Sequence, residues 1–249
     1  MEQLTSRKSA YIRHLRRLAA DAAYRREAGE FLCEGRKTLR DALAAGAEIR
    51  SVLWKDRAEE TEGLSGCAQY ACPAELFDYA APLVNSPGPL FTVAIRGCRK
   101  PGALKNALVL ENVQDPGNVG TVVRTANALG IGAVILCGDC ADLYHPKTVR
   151  ATMGAVFRQL VIPMETAALR PFLAERGMPL YGAALSDAAK DLRGASLKGC
   201  AVAVGSEGRG LSEALLAACD GEIIIPMRPD SESLNAAVAA AIVMWEMVR

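Results

Sequence analysis

The stretch ALVLENVQDPGNVGTVVRTANALGIGAVILC, residues 107–137, indicates the fold class. It holds an apolar run, a turn at Asp115-Pro116-Gly117, apolar residues at helical spacing and a second apolar run. A strand, a helix and a strand in this order form a unit whose two strands pair in parallel. Four further apolar runs alternate with helical patterns as far as the C-terminus, at residues 159–163, 179–185, 200–205 and 222–226. The sequence therefore predicts an α/β fold with a mostly parallel sheet covered by helices on both faces.

The helical patterns between these strands cover residues 118–129, 146–157, 166–177 and 211–219, and a final helix is predicted within 233–249. The sequence pattern of residues 20–97 predicts a smaller α/β unit. FLCEGRKTLRDALAAGA begins as a strand and continues as a helix that Gly46 ends, and a strand (49–54), a helix (73–80) and a strand (89–95) follow. GCRKPGAL has the composition of a linker. We therefore expect domains at 1–97 and 105–249, joined by residues 98–104.

The composition is that of an ordinary globular protein. The 249 residues are 51% hydrophobic and 23% charged, with a net charge of +1, which excludes disorder and collagen-like structure. No apolar run reaches the ~18 residues of a membrane span, and no apolar core follows the charged N-terminus as in a signal peptide. The expected location is the cytoplasm, with no membrane partner.

The eight cysteines are expected to be reduced in that compartment. Cys137-Gly-Asp-Cys140 is the only CxxC pair, whereas a structural zinc site needs four ligands, usually from two such pairs. His14 and His145 do not complete a site at any familiar spacing. We expect no metal.

Three loops that follow predicted strands carry unusual residues, and such loops are where ligands bind in parallel sheets. In the first, Asn118 is a candidate cap of the next helix. Gly120 removes a side chain from the first turn, which suggests close packing there. Arg124 lies about 120° round the helix from Asn118. Spacing alone leaves open whether Arg124 binds an anion or is solvated.

The second loop, AVAVGSEGRGLSEA (201–214), carries three glycines, Gly205, Gly208 and Gly210. Their spacing is neither that of a dinucleotide fingerprint nor that of a Walker loop. Glu207 also disfavours a pyrophosphate. A glycine-rich turn with a carboxylate suits a neutral or cationic ligand with hydroxyl, amine or sulfonium groups, although a tight turn with a surface glutamate remains an alternative.

The third loop, EIIIPMRPDSESLNAAVA (222–239), is held extended by Pro226 and Pro229. Ser233 is placed at a helix N-cap and Asn235 in the first turn. The small-residue run AAVAAA permits close helix packing or an interface with another chain.

Basic residues occur in two further segments. Arg7, Lys8, Arg13, Arg16 and Arg17 belong to a predicted amphipathic helix near the N-terminus. Lys147, Arg150 and Arg158 lie in HPKTVRATMGAVFR (145–158). Either set can neutralise phosphates or form a solvated surface.

Together, NVQDPGNVGTVVRTANALG, VGSEGRGLS and IPM…SLNAAVA resemble, in order and spacing, the three motifs of the SpoU (TrmH-like) family of SPOUT-class RNA 2′-O-ribose methyltransferases. FLCEGRKTLRDAL resembles the RNA-binding domain common in that family. The resemblance implies a C-terminal trefoil knot, a homodimer with active sites near the subunit interface, and S-adenosyl-L-methionine as cofactor. The matched cofactor positions are Gly205, Ile225 and Leu234.

The resemblance also implies roles for polar residues. Family accounts make the arginine matched by Arg124 the proton acceptor, yet a guanidinium is protonated below pH ~12. We therefore expect Arg124 to bind the target phosphate and stabilise the 2′-oxygen, with water or a strongly perturbed Arg124 as base. The matched residues that orient Arg124 and the ribose are Asn118, Glu207, Ser233 and Asn235. RNA contacts are expected from Arg7, Lys8, Arg13, Arg16, Arg17, Lys147 and Arg150.

The function implied is methylation of a ribose 2′-hydroxyl in RNA, with ribosomal RNA favoured over transfer RNA. A non-catalytic RNA-binding protein of the same fold is the alternative, and the intact polar residues argue against it. A nicotinamide-dependent oxidoreductase is a second alternative, which the glycine spacing disfavours.

Overall fold

A computed structural model describes residues 1–57, 61–64, 66–83, 86–97, 102–186, 188–228 and 233–249. The chain divides into two compact units, Met1–Gly97 with Asp142–Phe157 and Cys98–Ala141 with Arg158–Arg249. The first division falls where the predicted linker begins, and residues 98–101 of that linker lie outside the described residues. Asp142–Phe157 differs from the sequence-based division, because this segment groups with the N-terminal residues.

The strands and helices are numbered in chain order. The strands are β1 (Glu2–Gln3), β2 (Glu30–Glu34), β3 (Ile49–Lys55), β4 (Ala68–Cys72), β5 (Leu90–Ala94), β6 (Ala107–Glu111), β7 (Ala133–Cys137), β8 (Val161–Met164), β9 (Leu180–Ala183), β10 (Lys190–Asp191), β11 (Ala201–Val204) and β12 (Gly221–Ile224). The α-helices are α1 (Ala10–Ala20), α2 (Ala22–Ala28), α3 (Arg36–Ala44), α4 (Ala74–Ala80), α5 (Pro116–Leu129), α6 (Pro146–Ala151), α7 (Thr166–Ala174), α8 (Glu213–Ala217) and α9 (Ala236–Val248). Short 3₁₀ turns cover Ala155–Phe157 and Leu192–Gly194.

The first unit contains a mixed sheet in the order β1-β4-β3-β5-β2. β3 pairs in parallel with β4 and antiparallel with β5. Helix α1 covers this sheet with Ile12, Leu15 and Leu18, all fully buried, so the predicted helix is amphipathic. Arg7 and Lys8, which were predicted to belong to it, precede it, because α1 begins at Ala10. β1 and β4 were not predicted, because β1 has two residues and β4 mixes polar with apolar ones.

Asp142–Phe157 belongs to the first unit through buried contacts. Val149 is in the same apolar cluster as Phe31, and the buried Arg25 donates to Asp142. The single helix predicted over 146–157 is wrong, because α6 ends at Ala151. Met153 and Gly154 then have positive φ angles of 49° and 85°. A side chain at Gly154 would also meet Asp41, so the chain turns sharply at a glycine.

The second unit contains seven strands in the order β10-β12-β9-β11-β6-β7-β8, and every pairing is parallel. This confirms the predicted α/β fold with a mostly parallel sheet. All six predicted strands are present with boundaries shifted by at most two residues. α9 packs against α5 and β11. None of the helices in the described ranges is long and apolar enough to cross a membrane.

Candidate active site at the carboxyl ends of β9, β11 and β12

A cavity of about 740 Å³ opens in the second unit where β9, β11 and β12 end. Its wall includes Gly205, Glu207, Ile225, Ser233 and Leu234. The cavity therefore collects residues from the second and third of the unusual loops, at the sheet edge where parallel sheets bind ligands. Its volume lies within the usual range for small-molecule sites.

The glycine-rich loop after β11 is a tight turn. The Gly210 amide donates to the Ser206 carbonyl at 2.9 Å, and Gly210 has a φ of 64°. A side chain at Gly205 would collide with the backbone of Gly210 and Leu211. The loop's own backbone occupies the position that a side chain at Gly205 would take. Gly205 is required for the shape of the loop that forms the cavity wall.

The structure places the N-cap of α5 three residues before the position predicted from the sequence. Asp115, not Asn118, is the N-cap, and its carboxylate accepts from the Asn118 amide at 2.9 Å. Pro116 then occupies the first helical position, where a missing amide hydrogen costs nothing. The Asn118 side chain is consequently free of capping and points to other partners.

The N-terminus of α9 also differs. Asn235 is the N-cap, and its Oδ1 accepts from the amides of Ala237 at 3.0 Å and Val238 at 3.3 Å. The expectation that Ser233 caps the helix is wrong, and Ser233 instead lies in the wall of the cavity. Residues Ile225–Arg228 before it have no regular structure, and Pro229 lies outside the described residues.

Asn235, Asn118 and Glu207 form one hydrogen-bonded chain. The Asn235 Nδ2 donates to Asn118 Oδ1 at 3.1 Å, and the Asn118 Nδ2 donates to the Glu207 carboxylate. The capping bonds occupy Asn235 Oδ1, so its Nδ2 must face Asn118, whose own Nδ2 then faces Glu207. One residue from each of the three loops is therefore linked, and the direction of every donor is fixed.

Arg124 is separate from this chain of hydrogen bonds. It lies on α5 about 9 Å along the helix axis from Asn118, with an exposed side chain. It does not line the cavity, and within the described part of the chain no hydrogen bond or ion pair engages it. Its guanidinium is therefore available to an external anion.

Two carboxylates, one bonded to Ser212 after the glycine-rich loop and one in the cavity wall, were missed by sequence reasoning. Glu111 at the end of β6 is 2% exposed and accepts from both the amide (2.7 Å) and the hydroxyl (2.8 Å) of Ser212. This pair fixes the N-terminus of α8 directly after the glycine-rich loop. A lone glutamate in the apolar run ALVLE was the available signal, since buried carboxylates require partners.

The second missed carboxylate is Glu222, in the cavity wall, which accepts from the Ser186 hydroxyl at 2.5 Å. The described wall thus carries the carboxylates of Glu207 and Glu222 against one guanidinium, that of Arg209. Apolar residues such as Ile225 and Leu234 supply the remaining surface. This arrangement suits an amphipathic, positively charged ligand better than a pyrophosphate.

Burial affects both thiols of the CxxC pair. Burial raises the pKa of the Cys137 thiol to about 12 and also raises that of Cys140, so neither is a thiolate at neutral pH. Among the described residues, no cluster of His, Cys, Asp and Glu can hold a metal ion.

The predicted RNA-contacting residues all lie in the first unit. Arg16 and Arg7 lie over the Tyr79 ring, with their guanidinium carbons 4.1 and 4.6 Å from its centroid, and Arg17 lies 3.7 Å over Tyr24. Lys8 and Arg13 are exposed. Lys147 follows His145, the N-cap of α6. The Arg150 guanidinium lies 3.8 Å from the Glu34 carboxylate.

The structure is that of an α/β protein with a glycine-rich turn and a carboxylate-lined cavity of small-molecule size at the edge of its parallel sheet. Residues 105–245 match the model of the SpoU rRNA Methylase family. The chain is 31% identical over 99% of both lengths to the 23S rRNA (guanosine(2553)-2′-O)-methyltransferase RlmP of Bacillus subtilis (strain 168). The chain therefore belongs to the SpoU rRNA methylase family.

Two solved structures resemble the whole chain. An AdoMet-bound rRNA methyltransferase from Sinorhizobium meliloti has a TM-score of 0.89 and 26% identity, over 98% of this chain and 96% of its own. The SpoU methyltransferase AviRb from Streptomyces viridochromogenes, in complex with the cofactor AdoMet, has a TM-score of 0.88 and 25% identity over 97% of both chains.

Proposed function

We propose that the protein transfers a methyl group from S-adenosyl-L-methionine to a ribose 2′-hydroxyl of ribosomal RNA. The observation that carries this proposal is the hydrogen-bonded chain of Asn235, Asn118 and Glu207, which joins the three family motifs at one cavity. Family membership and relatives that act on ribosomal RNA support it. A cavity bordered by carboxylates argues against a nicotinamide dinucleotide, whose pyrophosphate needs positive surroundings.

S-adenosylmethionine fits the residues of the cavity. We assign its apolar contacts to Ile225 and Leu234 and the wall beside it to the loop that Gly205 shapes. The carboxylates of Glu207 and Glu222 favour a ligand with a positive charge. When bound, the cofactor supplies an electrophilic methyl group on a sulfonium.

The residues of the chain position and activate the ribose. We assign to Arg124 the phosphate of the target nucleotide, because its guanidinium is exposed and unengaged within the described residues. A guanidinium remains protonated and so stabilises the 2′-oxygen electrostatically as the proton leaves to water. Asn118, Glu207 and Asn235 orient the ribose through a network whose donor directions are fixed. We assign the same role to Ser233, which lies in the cavity wall.

We further propose that the first unit binds RNA and that two chains form a dimer. Basic residues of α1 and α6 support the RNA contact, and an exposed apolar face of α9 supports the dimer. Val238, Ile242, Trp245 and Val248 on that face are 36–59% exposed, and exposed apolar patches normally mark contact surfaces. An RNA substrate is consistent with a cytoplasmic location.

We also propose that the C-terminal part of the chain forms a trefoil knot. It is supported by the order of elements, because β12 lies between β10 and β9 whereas the next element, α9, packs against α5 and β11. The chain therefore returns from the β12 side of the sheet to the side of β11 and α5 before α9 begins. An electron-density trace of residues 205–249 tests whether that return passes through a loop, against the general rule that chains are unknotted.

The proposed activity is tested with ribosomal RNA from a strain that lacks the gene. We expect radiolabelled methyl transfer to that RNA and not to transfer RNA, with the new 2′-O-methyl mapped by primer extension. S-adenosylhomocysteine should raise the melting temperature, and NAD should not. Stabilisation without methyl transfer to any RNA would instead support a non-catalytic RNA-binding protein, and stabilisation by NAD alone would contradict the cofactor assignment.

A further inference from the structure

The cavity at the carboxyl ends of β9, β11 and β12 has a carboxylate outside the hydrogen-bonded chain that orients the ribose. Glu222 lies on β12, opposite Gly182 of β9 in the parallel register, and it is in the cavity wall. β12 is two strands from β11, which is about 10 Å across the sheet at the usual strand spacing. Glu222 therefore borders a different part of the cavity from Glu207, which follows β11.

The Glu222 carboxylate is held by one hydroxyl. Its Oε2 accepts from Ser186 Oγ at 2.5 Å. The segment that carries Ser186 is joined to β12, because the Ala184 amide donates to the Ile223 carbonyl at 3.0 Å. Within the described residues, no lysine or arginine forms an ion pair with Glu222 and no donor is bonded to its Oε1. One carboxylate oxygen is therefore in place for a donor that those residues do not supply.

We propose that Glu222 binds the α-ammonium group in the methionine moiety of S-adenosylmethionine, and that Ser186 positions its carboxylate for this contact. The inference rests on the proposed function for the identity of the cofactor. It gives a role to two residues that none of the three family motifs contains.

The charges of the cavity wall match those of the cofactor. The described wall has the carboxylates of Glu207 and Glu222 and the guanidinium of Arg209. The cofactor has two cationic groups, the sulfonium and the α-ammonium, and one carboxylate. Because Glu207 already accepts from the Asn118 side chain, Glu222 is the wall carboxylate with an oxygen available to a cationic donor.

Hydrogen-bonding chemistry selects the ammonium over the sulfonium. An ammonium has three N–H donors, whereas a sulfonium has none, and charge-assisted N–H···O bonds are stronger than neutral ones. A carboxylate beside the sulfonium would also stabilise the reactant more than the transition state, because the sulfur loses its positive charge as the methyl group leaves. The α-ammonium keeps its charge throughout, so its pairing with Glu222 adds affinity without slowing the transfer.

The test is calorimetric titration of two ligands into the full chain. The first is S-adenosylhomocysteine, and the second is its deaminated analogue, in which a hydrogen replaces the α-ammonium and the carboxylate remains. The variants are Glu222→Gln, which keeps the size of the side chain and removes its charge, and Ser186→Ala, which keeps the charge and removes the positioning hydroxyl. The control is Glu175→Gln, an exposed glutamate of the second unit outside the cavity wall.

We expect Glu222→Gln to bind S-adenosylhomocysteine about tenfold more weakly than wild type, as for the loss of one charge-assisted hydrogen bond, and Ser186→Ala about threefold more weakly. Wild type should bind the deaminated analogue about tenfold more weakly than S-adenosylhomocysteine, and neither substitution should weaken that binding further. Glu175→Gln should keep both wild-type affinities. Equal weakening of both ligands by Glu222→Gln would overturn the proposal, because the contact would then be to another part of the cofactor.

S-adenosylmethionine provides a second comparison, since it carries the sulfonium as well as the α-ammonium. Glu222→Gln should weaken S-adenosylmethionine and S-adenosylhomocysteine by the same factor. A larger loss for S-adenosylmethionine would assign Glu222 to the sulfonium and overturn the proposal. If Glu222→Gln does not fold, the wild type decides, because equal wild-type affinities for S-adenosylhomocysteine and its deaminated analogue would overturn the proposal without any variant.

These measurements separate the inference from the proposed function. If the wild type methylates ribosomal RNA but binds the deaminated analogue as tightly as S-adenosylhomocysteine, the role of Glu222 alone fails. If binding depends on the α-ammonium and on Glu222 while no RNA is methylated, the enzymatic function fails and the role of Glu222 stands.

Discussion

At the scale of single residues, the site depends on which way two amide side chains face. Asn235 can direct its Nδ2 to Asn118 only because its Oδ1 is held by the first amides of α9. Helix capping and site geometry are therefore two functions of one side chain. They can be separated, because an aspartate caps a helix as well as an asparagine does but has no hydrogen to donate.

We predict that Asn235→Asp keeps the stability of the protein while methyl transfer is abolished. The carboxylate still accepts the Ala237 and Val238 amides, but it cannot donate to Asn118 and adds a negative charge to the network of Glu207. Asn235→Ala should lose activity and also about 1 kcal/mol of stability through the missing cap. Urea unfolding and methylation assays on both variants decide this. An active Asn235→Asp enzyme would reduce the hydrogen-bonded chain to a structural feature.

Arg124 provides a second prediction at this scale. Arg124→Ala should abolish methyl transfer and change the affinity for S-adenosylhomocysteine by less than about tenfold, or 1.4 kcal/mol, because Arg124 is exposed and does not line the cavity. Calorimetry measures the affinity, and Arg158→Gln on the same unit is the control for removing a surface cation. A folded Arg124→Ala variant that no longer binds the cofactor product would contradict the assignment to RNA.

At the scale of elements, Asp220 connects three parts of the second unit. Its carboxylate forms two bonds with Arg170 of α7, at 2.6 and 2.7 Å, and accepts the Leu180 amide at the start of β9 at 2.8 Å. It directly precedes β12, which forms a wall of the cavity. The Arg170 guanidinium, and then the Leu180 amide, lower the pKa of this carboxyl.

This pKa gives a pH-dependent prediction for Asp220→Asn. Because the folded-state pKa is lowered, the carboxylate stabilises the folded state fully above the unfolded-state value of about 4. The contribution is lost as the pH falls through the lower folded-state pKa. The variant should therefore melt below wild type at pH 7, with a small difference because the pair is partly exposed. The two melting curves should converge once the pH has fallen below that folded-state pKa, and a constant difference over the whole acid range would show that the charge is not the cause.

The sequence predicted elements better than it predicted caps and partners. The six strands of the parallel sheet follow from local apolar runs, which burial on both faces dictates. The N-caps of α5 and α9 were predicted at the wrong residues. Several residues of types that cap helices occur close together before each helix, and the pattern does not choose among them. In both helices the choice depends on long-range partners, since Asn118 is engaged by Glu207 and Asn235. Likewise, long-range contacts, such as those of Arg25 with Asp142 and of Val149 with the cluster of Phe31, assign the α6 segment to the first unit.

At the scale of the whole molecule, the two faces of α9 explain its composition. Ala236, Ala237 and Ala240 are buried, where small side chains let α9 approach α5 and β11 closely. The opposite face exposes Trp245, Ile242 and Val238. The small-residue run thus provides the close packing that the sequence allowed, and the large apolar residues form the face that we propose binds a second copy.

We predict that Trp245→Glu converts the proposed dimer into a monomer. The Trp245 side chain is 59% exposed and lies centrally on the apolar face, and a buried, unpaired carboxylate would cost several kcal/mol at an interface. Met153→Glu is the matched control, because Met153 is 50% exposed on the other unit. Light scattering after gel filtration measures the mass of each variant. We expect the Trp245→Glu variant to lose methyl transfer but to retain S-adenosylhomocysteine binding, since one chain supplies the cavity wall; a variant that keeps the mass of two chains would place the dimer contact elsewhere.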